Sequence, residues 1–255
     1  MGFKRVLFHC LIGKLVLWSC ALTDSIRLGL SAPYACNYLA DRQERVLFTL
    51  PEQLIDIQLY QTLTDHNFRR TGDQLYRPYC DHCQACIAVR LHHQEFVPSK
   101  NQHRVRQKAL QAGWTFKLRS APNWQDYYPL YQRYITERHA DGVMYPPSPE
   151  HLDSLLRCRW LPVHTLEQYL DGQLVGVLVL DLLLDGYSAV YSFYEPSSHL
   201  SLGTLAILAG VDVCRQQKLP YLYLGYWVEH SEKMAYKARF LPQQRLIGQE
   251  WHSFG

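Results

Sequence analysis

The chain has 255 residues, 47% hydrophobic and 19% charged, an ordinary globular balance that excludes wholesale disorder and fibrous structure. No apolar run reaches the roughly 20 residues needed to span a bilayer, and eight cysteines are too sparse for a disulfide-stapled mini-domain. The formal net charge is only +3, so any electrostatic message lies in how the charge is distributed.

Residues 1–22 begin with Lys4 and Arg5 and continue mostly apolar to Leu22, a poor imitation of a signal peptide that His9 and Lys14 interrupt. We read them as a dispensable extension from a start codon set too far upstream, with export as the alternative. Residues 23–98 form an irregular, aromatic, Cys-bearing region. Leu54, Ile55, Leu59 and Leu63 have helical spacing, and Pro51 suits a first turn. Residues 68–72 read as a turn into a short strand, 76–79 as extended, and 87–91 as a strand.

Residues 98–125 carry six Lys/Arg and no acid. Asn123 opens a helix to His139, with Tyr127, Leu130, Tyr131, Tyr134 and Ile135 on one face. Asp141-Gly142 and the prolines at 146, 147 and 149 break it, and Ser148 caps a second helix to about Arg159. Strands follow at 163–170, 173–183 and 187–194, joined by Asp171-Gly172 and Asp185-Gly186. Ser201-Leu202-Gly203-Thr204 starts an apolar helix to about Gln217, a strand covers 221–224, and 229–238 is amphipathic. This is an α+β order with a mixed sheet.

Cys80, Cys83 and Cys86 form a C-x2-C-x2-C run, a spacing that lets thiolates converge on a metal or cluster, with Cys36 as the nearest fourth ligand in sequence. The competing reading is a set of buried structural thiols. The sequence has no G-x-S-x-G, Walker loop, H-E-x-x-H or G-x-G-x-x-G. Basic clusters lie at Arg69, Arg70 and Arg77, at Lys100, His103, Arg104, Arg106 and Lys108, and at Lys233, Lys237, Arg239 and Arg245. Phe68, Tyr76, Tyr79, Trp114, Tyr236 and Phe240 are interleaved with them, a pattern that suits RNA. Tyr194-Glu195 at a strand end, followed by a Gly-containing helix start at Gly203-Thr204, offers N–H donors for a developing oxyanion and a carboxylate for an amine.

Several blocks together resemble one family: residues 37–45, 68–72, 76–86, 190–196, 201–204, 224–227 and 233–240. In order, they resemble the bacterial aspartate/glutamate leucyltransferases, relatives of the eukaryotic arginyl-tRNA–protein transferases. The resemblance runs from about residue 31 to the C-terminus. It implies a GNAT-like acyltransferase domain over 99–255 and a smaller N-terminal Cys-bearing domain over 23–98. It implies transfer of leucine from leucyl-tRNA to the α-amine of proteins beginning with Asp or Glu, which marks them for N-degron proteolysis in the cytoplasm. Partners would be charged tRNA and those proteins, with no DNA and no membrane. Glu195 stands where the family usually shows Asp, and Leu39 where the eukaryotic relatives carry a second Cys.

On that resemblance Tyr194 and Glu195 are the catalytic candidates, and Arg77, Lys237 and Arg239 the candidates for the acceptor's acidic side chain. Arg69, Arg70, Arg104, Arg106 and Lys233 are candidates for tRNA, Gly203 and Thr204 for the oxyanion or terminal adenosine, and Phe193, Leu202 and Trp227 for the leucine pocket. The ester is already activated, so the chemistry requires no cofactor; Zn or an Fe–S cluster at Cys36, Cys80, Cys83 and Cys86 is the one cofactor candidate. Three alternatives remain open: arginine as the donor amino acid, a CoA-dependent acetyltransferase, and a non-catalytic tRNA- or metal-binding protein. The single glycine of Ser201-Leu202-Gly203-Thr204 disfavours CoA.

Overall fold

The structure is a computed structural model that describes residues 16–19, 25–142 and 144–255. Strands β1 (Val16–Ser19), β2 (Ser25–Leu30), β3 (Tyr34–Ala35), β4 (Gln43–Glu44) and β5 (Val46–Thr49) lead to helix α1 (Ile57–Asp65). Next come β6 (Arg69–Thr71), β7 (Gln74–Pro78), β8 (Ile87–His92), α2 (Lys100–Gln111), β9 (Trp114–Ser120), α3 (Trp124–Arg138) and α4 (Pro149–Leu156). The meander β10 (Val163–Leu170), β11 (Gln173–Leu182) and β12 (Gly186–Tyr194) follows, then α5 (Leu202–Gln216) and β13 (Tyr221–Trp227). A 3-10 turn at Ala235–Arg239 and the hairpin β14 (Gln243–Ile247), β15 (Glu250–Phe254) complete the chain.

One sheet has the order β1-β2-β5-β7-β6 and the other the order β15-β14-β8-β13-β12-β11-β10-β9. In the larger sheet β12 and β13 are parallel, and the remaining ladders are antiparallel. A parallel pair needs a crossover, and α5 supplies it. That helix is apolar nearly all round: Leu202 and residues 205–214 are buried. A helix of that kind is a core element, and α5 fills one face of the sheet with Leu178, Leu180 and Leu222 beneath it. The opposite face carries α3 and α4, with Tyr127, Tyr131, Ile135 and Leu152 fully buried against Val177, Val179 and Phe193. Tyr60, Leu63 and Phe68, from α1 and the turn after it, join Leu28 and Leu75 of the smaller sheet to Leu183 and Tyr223 of the larger one.

The mixed α+β order is as expected, and the Asp171-Gly172 turn has φ of 49° and 77°, the left-handed pair that a two-residue hairpin requires. Three elements differ. The helix expected at 54–63 starts at Ile57, because Asp56 accepts a hydrogen bond from the Leu59 N–H at 2.8 Å and caps it; Leu54 is 89% exposed. The basic run 98–125 contains α2, closed by a reciprocal Ser99–Gln102 capping box, and the edge strand β9. The amphipathic stretch 229–238 contributes only the short 3-10 turn. β8, which precedes the boundary expected at residue 98, lies inside the larger sheet between β13 and β14. Apart from β1, the extension expected at 1–22 lies outside the described residues.

Candidate active site

β12 and β13 pair only where Gly186, Tyr187 and Ser188 face Tyr221, Leu222 and Tyr223. Beyond that register they part. A bulge in β13 against β8, between Tyr223 and Gly225, assists the parting. Gly225 has φ +73°, a conformation glycine adopts without the clash a Cβ would bring. The opening holds a cavity of about 100 Å3, lined by Ser188 and Val190 of β12, Gly225 and Tyr226 of β13, Arg69 and Lys237.

Three cations line this small space, Arg69, Arg70 and Lys237, and Asp181 takes the charge of Arg70. Lys237 is 6% exposed, and its Nζ donates to the Tyr226 carbonyl at 2.6 Å. Burial, and then the charge of Arg69, pulls its pKa down to about 7. Arg69 is also 6% exposed. Its Nη1 donates to the Phe68 carbonyl at 2.5 Å, and its guanidinium carbon lies 5.4 Å from the centre of the Tyr226 ring. Its Nε and Nη2 are buried without a protein partner.

Of the two catalytic candidates, Tyr194 reaches both α5 and α3, and Glu195 faces α3. Tyr194 lies on the start of α5: a Cβ at Gly203 would sit 3.3 Å from its ring and 3.5 Å from its hydroxyl. Ser201 makes no side-chain cap there, so the first-turn N–H groups are not closed off by it. The Tyr194 ring stands 4.9 Å from that of Tyr134, whose hydroxyl is 3.2 Å from His139 Nε2. Glu195 faces α3. Arg133 donates to its Oε2 from Nη2 at 3.0 Å and from Nε at 3.1 Å, and Ser197 Oγ donates to its Oε1 at 2.8 Å. Burial alone would raise the Glu195 pKa; the bonds from Ser197 and Arg133 hold it below the usual carboxylate range. Arg133 carried no signal in the sequence, because a partner 62 residues away is visible only in the fold; Ser197, two residues from Glu195, was missed although it is local.

The other expected site residues divide. Arg70 is not available to tRNA: its side chain is fully buried, with Nε and Nη2 donating to the two Asp181 oxygens at 2.7 and 2.8 Å. Arg106 is paired with Asp212, which Arg215 also holds. Phe193 and Leu202 are 0% and 1% exposed, in the two cores. Trp227 is 9% exposed and covered by the Arg245 guanidinium at 4.0 Å. Arg77 donates to the His66 carbonyl at 3.2 Å and lines a separate cavity of about 240 Å3 with His66, Tyr79 and Gln249. Arg239 is exposed and does not line the cavity between β12 and β13; Gln102 of α2 donates to its carbonyl. Lys233 reaches Asp141 at 3.4 Å, and Arg104 is exposed on α2. Gly203 and Thr204 are half-buried in the first turn of α5.

Cys36, Cys80, Cys83 and Cys86 are all partly exposed free thiols, and Cys80 and Cys83 form an isolated β-bridge. Burial, Glu44 and the neighbouring thiols push Cys86 up to about 12. Among the described residues no three His, Cys, Asp or Glu side chains are placed to hold a metal ion. In this arrangement the four thiols do not fit a metal centre.

Two family models match the chain: "Arginine-tRNA-protein transferase, N terminus" over residues 34–104 and "Arginine-tRNA-protein transferase, C terminus" over 126–247. An aspartate/glutamate leucyltransferase of Vibrio cholerae is 43% identical over 228 residues, 89% of this chain and 97% of that protein. Proteins of the same name from Aeromonas hydrophila and Marinobacter nauticus are 41% and 45% identical, covering 89% and 86% of this chain and 94% and 92% of theirs. Among solved structures, L-PGS from Bacillus licheniformis is 12% identical with a TM-score of 0.46, covering 57% of this chain and 48% of that one. A TM-score that low carries no functional weight. The two family models and these relatives place the chain in the aminoacyl-tRNA–protein transferase family, among the aspartate/glutamate leucyltransferases.

Proposed function

We propose that this protein transfers leucine from leucyl-tRNA to the α-amine of proteins beginning with Asp or Glu, in the cytoplasm, on a GNAT-like acyltransferase domain built on the larger sheet. The names of the relatives support the donor and the acceptors. The observation that carries the location is the parting of β12 from β13 beside the start of α5, with Tyr194 on that helix end.

The leucyl ester is activated before it arrives, so no nucleotide hydrolysis, CoA or metal is required. A protein α-amine has a pKa of about 7.7–8.0, so a useful fraction is neutral at pH 7. The enzyme's work is then to position the amine against the ester carbonyl and to stabilise the oxyanion that forms. The Tyr194 hydroxyl and the first-turn N–H groups of α5 at Gly203 and Thr204 are the donors for that charge. The attacking nitrogen loses its proton as the ester breaks, and the terminal ribose hydroxyl leaves with one. Glu195, held ionised by Arg133 and Ser197, is a weak base at pH 7. Its role is to accept a hydrogen bond from the amine and orient it.

The test is a transfer assay on the full chain with leucyl-tRNA or arginyl-tRNA and peptides starting with Asp, Glu or Lys. Leucine on the Asp and Glu peptides alone is the expected result. Arginine transfer would overturn the donor, and no transfer from either tRNA would overturn the enzymatic reading.

A further inference from the structure

We propose that Arg69, with Lys237, forms the subsite that grips the side-chain carboxylate of the acceptor's first residue and so makes the enzyme selective for Asp and Glu. This rests on the leucyl-transfer reading and deepens it.

The argument starts from cost. A buried donor left without a partner costs about 1–3 kcal/mol, and more when charged. Arg69 carries two such nitrogens, Nε and Nη2. They are the adjacent pair along one edge of a guanidinium, the edge that meets a carboxylate with two parallel hydrogen bonds. Arg70, the next residue, uses the same two atoms in that way on Asp181. Among the described residues Arg69 has no such carboxylate. None of the ion pairs among the described residues includes Arg69 or Lys237. Arg70 also lines this space, but Asp181 takes its charge; Arg69 and Lys237 line it with no acid between them, and an incoming anion meets both.

Size and surroundings select the anion. The cavity, about 100 Å3, is well below the size of pockets that hold a whole drug-sized ligand, which suits a carboxymethyl or carboxyethyl tip and not a nucleotide. Its remaining polar neighbours include Tyr38 and Tyr76, whose phenols are raised by burial and are therefore neutral near pH 7. A carboxylate gains charge-assisted bonds there. An amide of the same shape brings two donors to face Arg69 and Lys237, so Asn and Gln are excluded by chemistry rather than by size. The cavity lies where β12 and β13 part, on the strand that ends at Tyr194.

The experiment compares wild type, Arg69→Met and Lys237→Met, each checked for folding by circular dichroism. Acceptor kcat/KM is measured for peptides starting with Asp, Glu, Asn or Gln at saturating leucyl-tRNA, together with the Kd for leucyl-tRNA. The expected result is a fall of at least thirtyfold in the Asp-to-Asn ratio for Arg69→Met and about tenfold for Lys237→Met, with the tRNA Kd within twofold of wild type. If Arg69→Met does not fold, Lys237→Met alone decides. An unchanged ratio in folded variants overturns the subsite. A weakened tRNA Kd with an intact ratio also overturns it, by giving the cations to a tRNA phosphate. A wild type that transfers no leucine would instead sink the functional reading on which the subsite rests.

Discussion

Arg69 and Arg70 stand side by side on one three-residue strand, and the alternation of a strand sends them in opposite directions. Arg70 enters the junction between the two sheets. There Asp181 takes both edge nitrogens, Tyr60 donates to the same carboxylate at 2.7 Å, and the Leu155 and Gly72 carbonyls take the remaining donors. Arg69 enters the cavity, where its edge nitrogens meet no acid. The same residue type at equal burial therefore does two jobs. A satisfied buried cation holds two sheets together, and an unsatisfied one marks a place where a ligand belongs.

The largest expected effect separates these jobs. Arg70→Met removes one partner of a buried pair and should cost about 3–5 kcal/mol of unfolding free energy, read by urea titration. Asp181→Asn should cost a similar amount. The activity of the Arg70 variant per folded molecule should change little. Arg69→Met should do the reverse, with little or no loss of stability. If Arg69→Met proves as destabilising as Arg70→Met, the contrast fails and Arg69 is a structural residue.

Next comes Tyr194→Phe, which removes a hydroxyl from the start of α5 and leaves the ring in place. We expect kcat to fall by about one to two orders of magnitude, as when an oxyanion donor is lost, with acceptor KM little changed. An unchanged kcat would leave the helix end alone to carry the oxyanion.

Lys237→Met sharpens the comparison through pH. Burial lowers the folded pKa of Lys237 to about 7 against an ordinary value of 10.5. Between those values the unfolded chain binds more protons than the folded one, so stability from this group rises with pH across the window. Below about pH 7 the penalty for the buried charge is fully present; above about 10.5 it is gone. The methionine variant should therefore be more stable than wild type at pH 6, with an advantage that shrinks by up to about 1.4 kcal/mol per unit as pH rises to 9. A constant difference across that range would mean that Lys237 titrates normally.

How far the sequence foretold this follows from the same pair. Strong local signals held: the apolar stripe of α3, the left-handed Asp171-Gly172 turn and the wholly apolar α5 are each written in neighbouring residues. Of the candidate residues, Lys237 lines the opening between β12 and β13 and Tyr194 lies beside Gly203 at the start of α5. Their environment is not legible. Nothing near Arg70 announces Asp181, 111 residues away, and nothing near Glu195 announces Arg133. Phe193 and Leu202 looked like pocket walls because core and pocket draw on the same apolar residues. Which cation is satisfied is decided by tertiary neighbours that sequence separation hides.

The smallest expected effect extends the contrast to α2. Arg104 and Arg106 are two residues apart and so point to different sides of the helix. Arg106 is held by Asp212 of α5, while Arg104 is exposed. Gln102 of the same helix donates to the Arg239 carbonyl, and Arg239 ends the turn that carries Lys237. Gln102, on the buried side of α2, thus ties that helix to the turn that carries Lys237. Each phosphate deprived of its cation should make the slope of log K against log salt shallower by about 0.9 for a duplex. Arg104→Ala should therefore weaken leucyl-tRNA binding by a few fold at low salt, make that slope shallower by about one unit and leave the Asp-to-Asn ratio untouched. Arg106→Ala should leave the slope as it is, because its charge already faces Asp212. Equal slope changes in the two variants would mean that a surface ion pair does not withhold a cation from RNA, and the contrast drawn from Arg69 and Arg70 would then hold only for buried sites.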